Sequence, residues 1–421
     1  MQDAPSSRYR LAFGVVTAVF FMWGFITVLN DVLVPHLKSV FDLNYSRTMD
    51  IQLWFFGAYF LMSLPSGKVV STIGCKNSII IGLMVAGIGA LLFYPAAAML
   101  SYGVFLVGLF ILASGITLLQ VAANPYVSLL GSPEGASSRL NLSQAFNSLG
   151  TAIAPKFGGL LILSVAVIAP LEFAKLNVGQ QLTYRLQQAQ SVELPYIGLA
   201  VTLFVLASIV YLFHLPAVTE IEMPAGTAHP YKEVLRHRHL RFGLVAIFVY
   251  VGAEVSIGSF MINYISQPDI GNMPEARAAN FVVLYWSGAM IGRFIGSALL
   301  RRIDTRKLLG IFAGIAALLV FTTMLTHGYV AVAAIVSVGL FNSIMFPNIF
   351  TLGIERLGPL TGRASSLLVM AIVGGAVIPK LQGKLADNVG VHHAYVLPLL
   401  CYVYIVFYAF NGSRLAAVGR G

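Results

Sequence analysis

The stretch SRLNLSQAFNSLGTAIAPKFGG (residues 138–159) returns in outline as GRASSLLVMAIVGGAVIPKLQG (residues 362–383). The interval from Arg139 to Pro155 and Lys156 equals that from Arg363 to Pro379 and Lys380, and Gly159 then matches Gly383, at an offset of about 224 residues. Pro125 in AANPYVSLLG and Pro347 in IMFPNIFTLG repeat at nearly the same offset, and the segments GKVVSTIGCK and GSALLRRIDTRK echo each other. One shared proline would carry little weight. A shared spacing over several landmarks implies a chain built from two related halves.

Composition says what the halves are made of. Of 421 residues, 58% are hydrophobic and only 10% charged, with a mean hydropathy of +0.83. A soluble domain carries about 25% charged residues, so this chain lacks the polar material to cover a soluble surface. Mostly apolar segments, each long enough to cross a bilayer as a helix, lie near 11–38, 49–71, 77–98, 103–130, 139–165, 194–214, 241–266, 279–300, 307–326, 329–354, 363–386 and 392–411. These are spans 1 to 12. A membrane barrel would instead show ten-residue alternation. The first run is too long for a signal h-region and lacks a small-x-small cleavage site, so it is expected to be retained. The expected fold is an all-α membrane protein of twelve transmembrane helices in two pseudo-symmetric six-helix bundles. The N-terminal bundle covers 1–215, a central cytoplasmic loop 216–240 and the C-terminal bundle 241–421. Such a duplication, with a midplane site between the halves, is a transporter architecture.

The net charge of +10 does not point to nucleic acid, because the basic residues are scattered singly between apolar runs. They sort by loop instead: about 17 fall on one side and about 6 on the other when both termini are placed in the cytoplasm. The histidines of HPYKEVLRHRHLR (229–241) read as a solvated basic patch. Cys75 and Cys401 have no metal-ligand spacing. GxxxxGK[ST] is absent, so ATP coupling within the chain is not expected, and neither an organic cofactor nor a bound metal is implied.

Of sixteen acidic residues, only Asp31 and Glu254 fall well inside apolar spans. Asp31 follows Asn30 in FFMWGFITVLNDVLVPHLK (20–38). A carboxylate in hydrocarbon costs about 2.5–3.5 kcal/mol on insertion scales, and interior acids commonly mark ion or proton pathways. Adding the repeat offset to Asp31 lands beside Glu254, so the two acids are expected at matching depths. Desolvation favours the neutral acid, which can carry a proton, whereas an acid among amide oxygens can bind sodium. The competing reading is structural, for example an ion pair between Glu254 and Arg293 of span 8.

Span 5 carries Asn141, Gln144 and Asn147 at three-residue intervals, one stripe on a helical face. The repeat partner has Ser365, Leu368 and Ala371, so the stripe is not required by the shared fold. Planar amides suit the vicinal hydroxyls of a neutral sugar. Gln120 and Asn124 in span 4, and Asn342 and Asn348 in span 10, extend the amide set. The bland alternative is polar glue between helices, about 0.6 kcal/mol per contact. Gln144 and Asn147 are expected to touch substrate, and Asn124 and Asn348, beside prolines, to bond the kinked backbone. Trp23, Trp54, Tyr285 and Trp286 lie within spans. Trp54 and Trp286 are candidate platforms for an apolar sugar face, with ordinary packing as the alternative.

These blocks, with FFGAYFLMSLPSGKVV and GITLLQVAANPYVSLLG, resemble the fucose:proton symporter family of the major facilitator superfamily, and most of all its glucose/galactose transporter branch. The likeness covers essentially the whole chain. The loop GKVVSTIGCK departs from the superfamily's G-x-x-x-D-R-x-G-R-K pattern, with Ser71 and Thr72 in place of its acid and arginine. The resemblance implies the major facilitator fold, alternating access and uptake of a monosaccharide driven by a cation gradient, in a bacterial inner membrane. In fucose-transporting relatives the span 1 Asn-Asp pair supplies a key acid, matched here by Asp31. Those relatives place a second acid where this chain has Gln120, which argues against fucose here.

The sequence therefore reads as a symporter for glucose, galactose or a close hexose, with Asp31, Asn30 and Gln120 for cation coupling. Gln120, Gln144, Asn147, Glu254, Trp54, Trp286 and Asn342 are the expected sugar-site residues. Protons are favoured over sodium. An N-acetylhexosamine or fucose symporter is the runner-up, followed by a non-transporting sugar sensor; no nucleophile–base set supports an enzyme. The expected partners are a monosaccharide and membrane lipid, and a monomer is expected.

Overall fold

A computed structural model of the chain describes residues 7–41, 45–161, 175–213, 215–216 and 230–415, and the regular structure among them is helical throughout. In oil every backbone N–H and C=O must be satisfied internally, and a helix does this within one segment. Among the described residues, nine helical stretches are long and apolar enough to cross a membrane. One of them, Leu53–Ala98, holds spans 2 and 3, separated at Gly74, whose φ of 77° only glycine adopts readily. Two further helices lie outside the nine. Span 12 is shorter, at Val396–Gly412, and span 5, Ala136–Leu161, is diluted by its polar stripe.

Span 10 is built in two pieces, Gly328–Asn342 and Met345–Ile354. Pro347 has no N–H to offer the carbonyl of Ser343, so the helix breaks before it. One element was not expected. Val178–Gln190 forms a polar helix before span 6, started by a reciprocal capping box between Asn177 and Gln180.

The chain forms two compact units, Met1–Ala123 with Phe146–Ala217, and Asn124–Ala145 with Val218–Gly421. In the first, the helix of spans 2 and 3 packs along span 6. Span 5 there crosses span 1 at Gly150, where a Cβ would strike the carbonyl oxygen of Phe21. In the second unit span 7 (Arg238–Ile265) packs on spans 8, 10, 11 and 12. Span 11 crosses it at Gly374, where a Cβ would strike the carbonyl oxygen of Phe248. Gly150 and Gly374 stand 224 residues apart (374 − 150), the repeat offset, so the duplication is visible as one close crossing made twice.

This crossing corrects the expected match of the two acids. Phe21 and Phe248 are 227 residues apart (248 − 21), so the offset is larger in spans 1 and 7 than in spans 5 and 11. Asp31 lies ten residues beyond its crossing (31 − 21) and Glu254 six beyond (254 − 248). At about 1.5 Å per residue, Glu254 sits about 6 Å, one turn, nearer the crossing.

Candidate functional site

In the first unit, Gln120 is buried and donates through Nε2 to the Tyr59 hydroxyl at 2.9 Å. Its Oε1 is buried with no hydrogen-bond partner among the described residues, an acceptor that a ligand hydroxyl could satisfy. Asn147 donates through Nδ2 to the carbonyl of Phe20 at 2.8 Å. That bond lies at the span 1–span 5 crossing, where Gly24 also abuts Asn147. Asn147 thus joins the two helices, which is the glue role. Trp54 is 38% exposed and meets Phe110 edge-on at 5.7 Å between ring centres. The side chains of Asn30 and Asp31 lie outside the described residues, although their backbone continues the helix Ser7–Phe41.

An apolar cavity of about 640 Å³ in this unit is lined by Phe21, Phe25, Phe157 and Leu194 among others. Gln120, Gln144, Asn147, Glu254, Trp54, Trp286 and Asn342 are not among the described residues that line it, and it offers a sugar ring few hydroxyl partners.

The second unit holds the denser polar network. Glu254, 9% exposed, accepts at Oε1 from the hydroxyl of Tyr250, one turn earlier, at 2.7 Å. Asn342 sits among three tyrosines. Its Nδ2 donates to Tyr285 at 2.6 Å, its Oδ1 accepts from Tyr402 at 2.7 Å, and its main-chain carbonyl accepts from Tyr250 at 3.0 Å. Tyr285 in turn donates to the main-chain carbonyl of Glu254 at 3.3 Å. Asn342, expected as a sugar contact, is fully buried, and its Nδ2 and Oδ1 each bond a tyrosine. Trp286 is 43% exposed, packs against Tyr285, and lies 3.2 Å from where a Cβ on Gly258 would stand, one turn after Glu254. Glycine at 258 therefore leaves room beside a flat ring close to the acid.

Arg293, weighed above as an ion-pair partner of Glu254, makes hydrogen bonds to the main chain. Its Nε donates to the Ser343 carbonyl at 3.1 Å, the acceptor that Pro347 leaves unserved, and Nη1 reaches the main-chain carbonyl of Gln144 at a long 3.5 Å. Gln144 itself donates weakly to Asn124 Oδ1, also at 3.5 Å. Asn141 donates to Asn348 Oδ1 at 2.8 Å. Asn124 and Asn348, expected to bond their own kinked backbones, instead accept from the amide stripe of span 5. Hydroxyls extend this seam: Ser137 meets Thr351 at 2.7 Å, and Ser138 donates to the Ser297 carbonyl at 2.7 Å.

Sequence reading passed over Tyr59, Tyr250 and Tyr402, because a single tyrosine in an apolar span reads as packing. Tyr250 had one legible sign, its position four residues before an interior acid.

Residues 11–379 match the family described as the Major Facilitator Superfamily. The chain is 49% identical over 413 residues to the glucose/galactose transporter of Brucella abortus, covering 98% of this chain and 97% of that protein. It is 35% identical over 422 residues to the L-fucose-proton symporter of Escherichia coli, covering 99% and 96%. The crystal structure of FucP, a Major Facilitator Superfamily transporter in the outward conformation, superposes with a TM-score of 0.90 at 34% identity, covering 96% of this chain and 98% of that one.

Proposed function

The chain belongs to the Major Facilitator Superfamily, and on that footing we propose that it imports a hexose, glucose or galactose before others, together with a cation. It is an integral membrane transporter and no enzyme. The observation that carries the sugar assignment is the 49% identity, over nearly the full length of both chains, to a glucose/galactose transporter. Gln120 supports it from within this chain: an uncharged amide whose buried acceptor has no hydrogen-bond partner among the described residues suits a neutral sugar hydroxyl.

In this reading the working halves are 1–215 and 241–421, joined by the cytoplasmic segment 216–240, in a bacterial inner membrane with both termini inside and the protein acting as a monomer. Gln120, Gln144, Asn147 and Glu254 meet sugar hydroxyls, and Trp54 and Trp286 offer flat apolar surfaces. Asn342 acts one layer behind, through its tyrosines. Asp31, with Asn30 and Gln120 beside it in the cation site, binds a proton in preference to sodium. Cation binding discharges Asp31, sugar binding draws the halves together, and the loaded protein turns inward. Without the cation a bare buried charge makes closure costly.

Uptake of radiolabelled glucose and galactose into proteoliposomes under an imposed inward proton gradient tests this. Accumulation of either sugar is the expected result. Accumulation of fucose or N-acetylglucosamine, with neither hexose moved, would overturn the assignment.

A further inference from the structure

The Tyr250 hydroxyl stands between two acceptors, Glu254 Oε1 at 2.7 Å and the main-chain carbonyl of Asn342 at 3.0 Å. A phenol has one proton to give, so it serves one of them fully at a time. Asn342 closes the first piece of span 10, and the helix resumes at Met345. The next carbonyl in this break, that of Ser343, is held by Arg293 at 3.1 Å. Two side-chain donors therefore border the break, and one of them is shared with an acid.

The two charge states of that acid distribute the phenol proton differently. An ionised carboxylate is the stronger acceptor, so it holds the Tyr250 hydroxyl and the Asn342 carbonyl loses that donor. When one proton from the aqueous phase binds Glu254, the carboxyl O–H can donate to the phenol oxygen, and the phenol turns its own proton to the Asn342 carbonyl. No other bond is made or broken. We propose that Tyr250 is a positioning residue that transmits the protonation state of Glu254 to the break in span 10.

The surroundings let the signal through. Among the described residues, Arg293 and Tyr285 of span 8 and Tyr402 of span 12 are the titratable side chains that interact with this pair. The break, Asn342 to Pro347, and the span 11 stretch at the crossing, Gly374 to Ile378, carry none. Tyr285 and Tyr402 clamp the Asn342 side chain, so the residue whose carbonyl is contested cannot drift away. Beyond the break, Asn348 and Thr351 bond Asn141 and Ser137 of span 5, which carries a change at the break to that seam. The inference deepens the symport reading and rests on it.

Its test is chosen to work without sugar. In pH-difference infrared spectra of the purified protein, a carboxylic-acid band absent from Glu254→Gln and a tyrosine C–O band absent from Tyr250→Phe are expected to titrate together. Glu254→Gln, whose amide can donate to the phenol as the protonated acid does, should hold the tyrosine band in its acid form at every pH. A carboxyl band that titrates while the tyrosine band stays still overturns the proposal. The wild type and Glu254→Gln decide this even if Tyr250→Phe folds poorly. In proteoliposomes, Tyr250→Phe should exchange labelled sugar while its accumulation ratio falls toward one; wild-type accumulation with a wild-type pH profile would equally overturn it. Failure of the wild type to move glucose or galactose would instead strike the sugar assignment and leave the infrared result standing.

Discussion

Gln120 gives its amide hydrogen to Tyr59 at 2.9 Å and keeps its carbonyl oxygen buried without a hydrogen-bond partner among the described residues. An uncharged group at this place accepts from a ligand hydroxyl at any pH. A carboxylate there would have to be discharged first, because burying an unpaired charge is far costlier than burying an amide.

The substitution Gln120→Glu should therefore impose a new pH dependence on uptake. Glutamate keeps the shape and, while protonated, an O–H to give to the Tyr59 hydroxyl in place of the amide N–H, so folding should survive. As pH rises through the titration of the introduced acid, its ionised form opposes occupation of the site. Initial glucose uptake relative to wild type should then fall by about tenfold per pH unit above that midpoint. Measuring both proteins at several external pH values with a constant gradient checks this. A ratio that does not change with pH would show that position 120 meets neither sugar nor ion.

The two repeat crossings make a stability prediction. Gly150→Ala and Gly374→Ala each push a methyl group into a phenylalanine carbonyl, and overpacking of this kind costs about 1–3 kcal/mol. Gly14, where an added Cβ would meet nothing within 4 Å, is the control. Gly14→Ala should be neutral or slightly stabilising, since alanine is the better helix former by about 1 kcal/mol. Thermal unfolding in detergent should place Gly14→Ala above the two crossing variants, which should be similarly impaired.

Much of this architecture was legible because the bilayer simplifies the code. Hydropathy marked the spans, and Arg139, Pro155, Arg363 and Pro379 fixed the repeat. The helix Val178–Gln190 escaped because it is polar and answers to its capping box, Asn177 with Gln180, rather than to hydropathy. A single offset misplaced Glu254 against Asp31 because the chain between span 1 and span 5 differs in length from that between span 7 and span 11. The convergence of Tyr250, Tyr285 and Tyr402 on Asn342 could not be read at all. They come from spans 7, 8 and 12, and no spacing along the chain reports which faces of those helices meet.

The pair Asn141 and Asn348 tests whether the span 5 stripe has a structural role at its first position. Each amide is buried and they bond at 2.8 Å. A double-mutant cycle with Asn141→Ala and Asn348→Ala should give a coupling of about 0.6 kcal/mol, with about 1.7 as the ceiling seen for such membrane contacts. Sugar affinity should change little in either variant, because the bond partners are each other. A large loss of affinity with no coupling would move Asn141 into the sugar site.

Asp31 bears the heaviest part of the transport reading, and exchange separates its role from that of the sugar contacts. Swapping labelled for unlabelled glucose across a membrane needs no net cation movement, whereas accumulation against a gradient does. Asp31→Asn removes the charge that the cation must neutralise, so exchange should continue and accumulation should disappear. Retention of both would show that coupling resides elsewhere, with Glu254 the remaining interior acid in the expected spans. The identity of the cation follows from a second comparison at fixed pH. Replacing sodium with choline should leave wild-type uptake unchanged if protons drive it. If uptake collapses in choline, Asp31 binds sodium, and the amide oxygen of Gln120 becomes the first candidate for a neighbouring ligand.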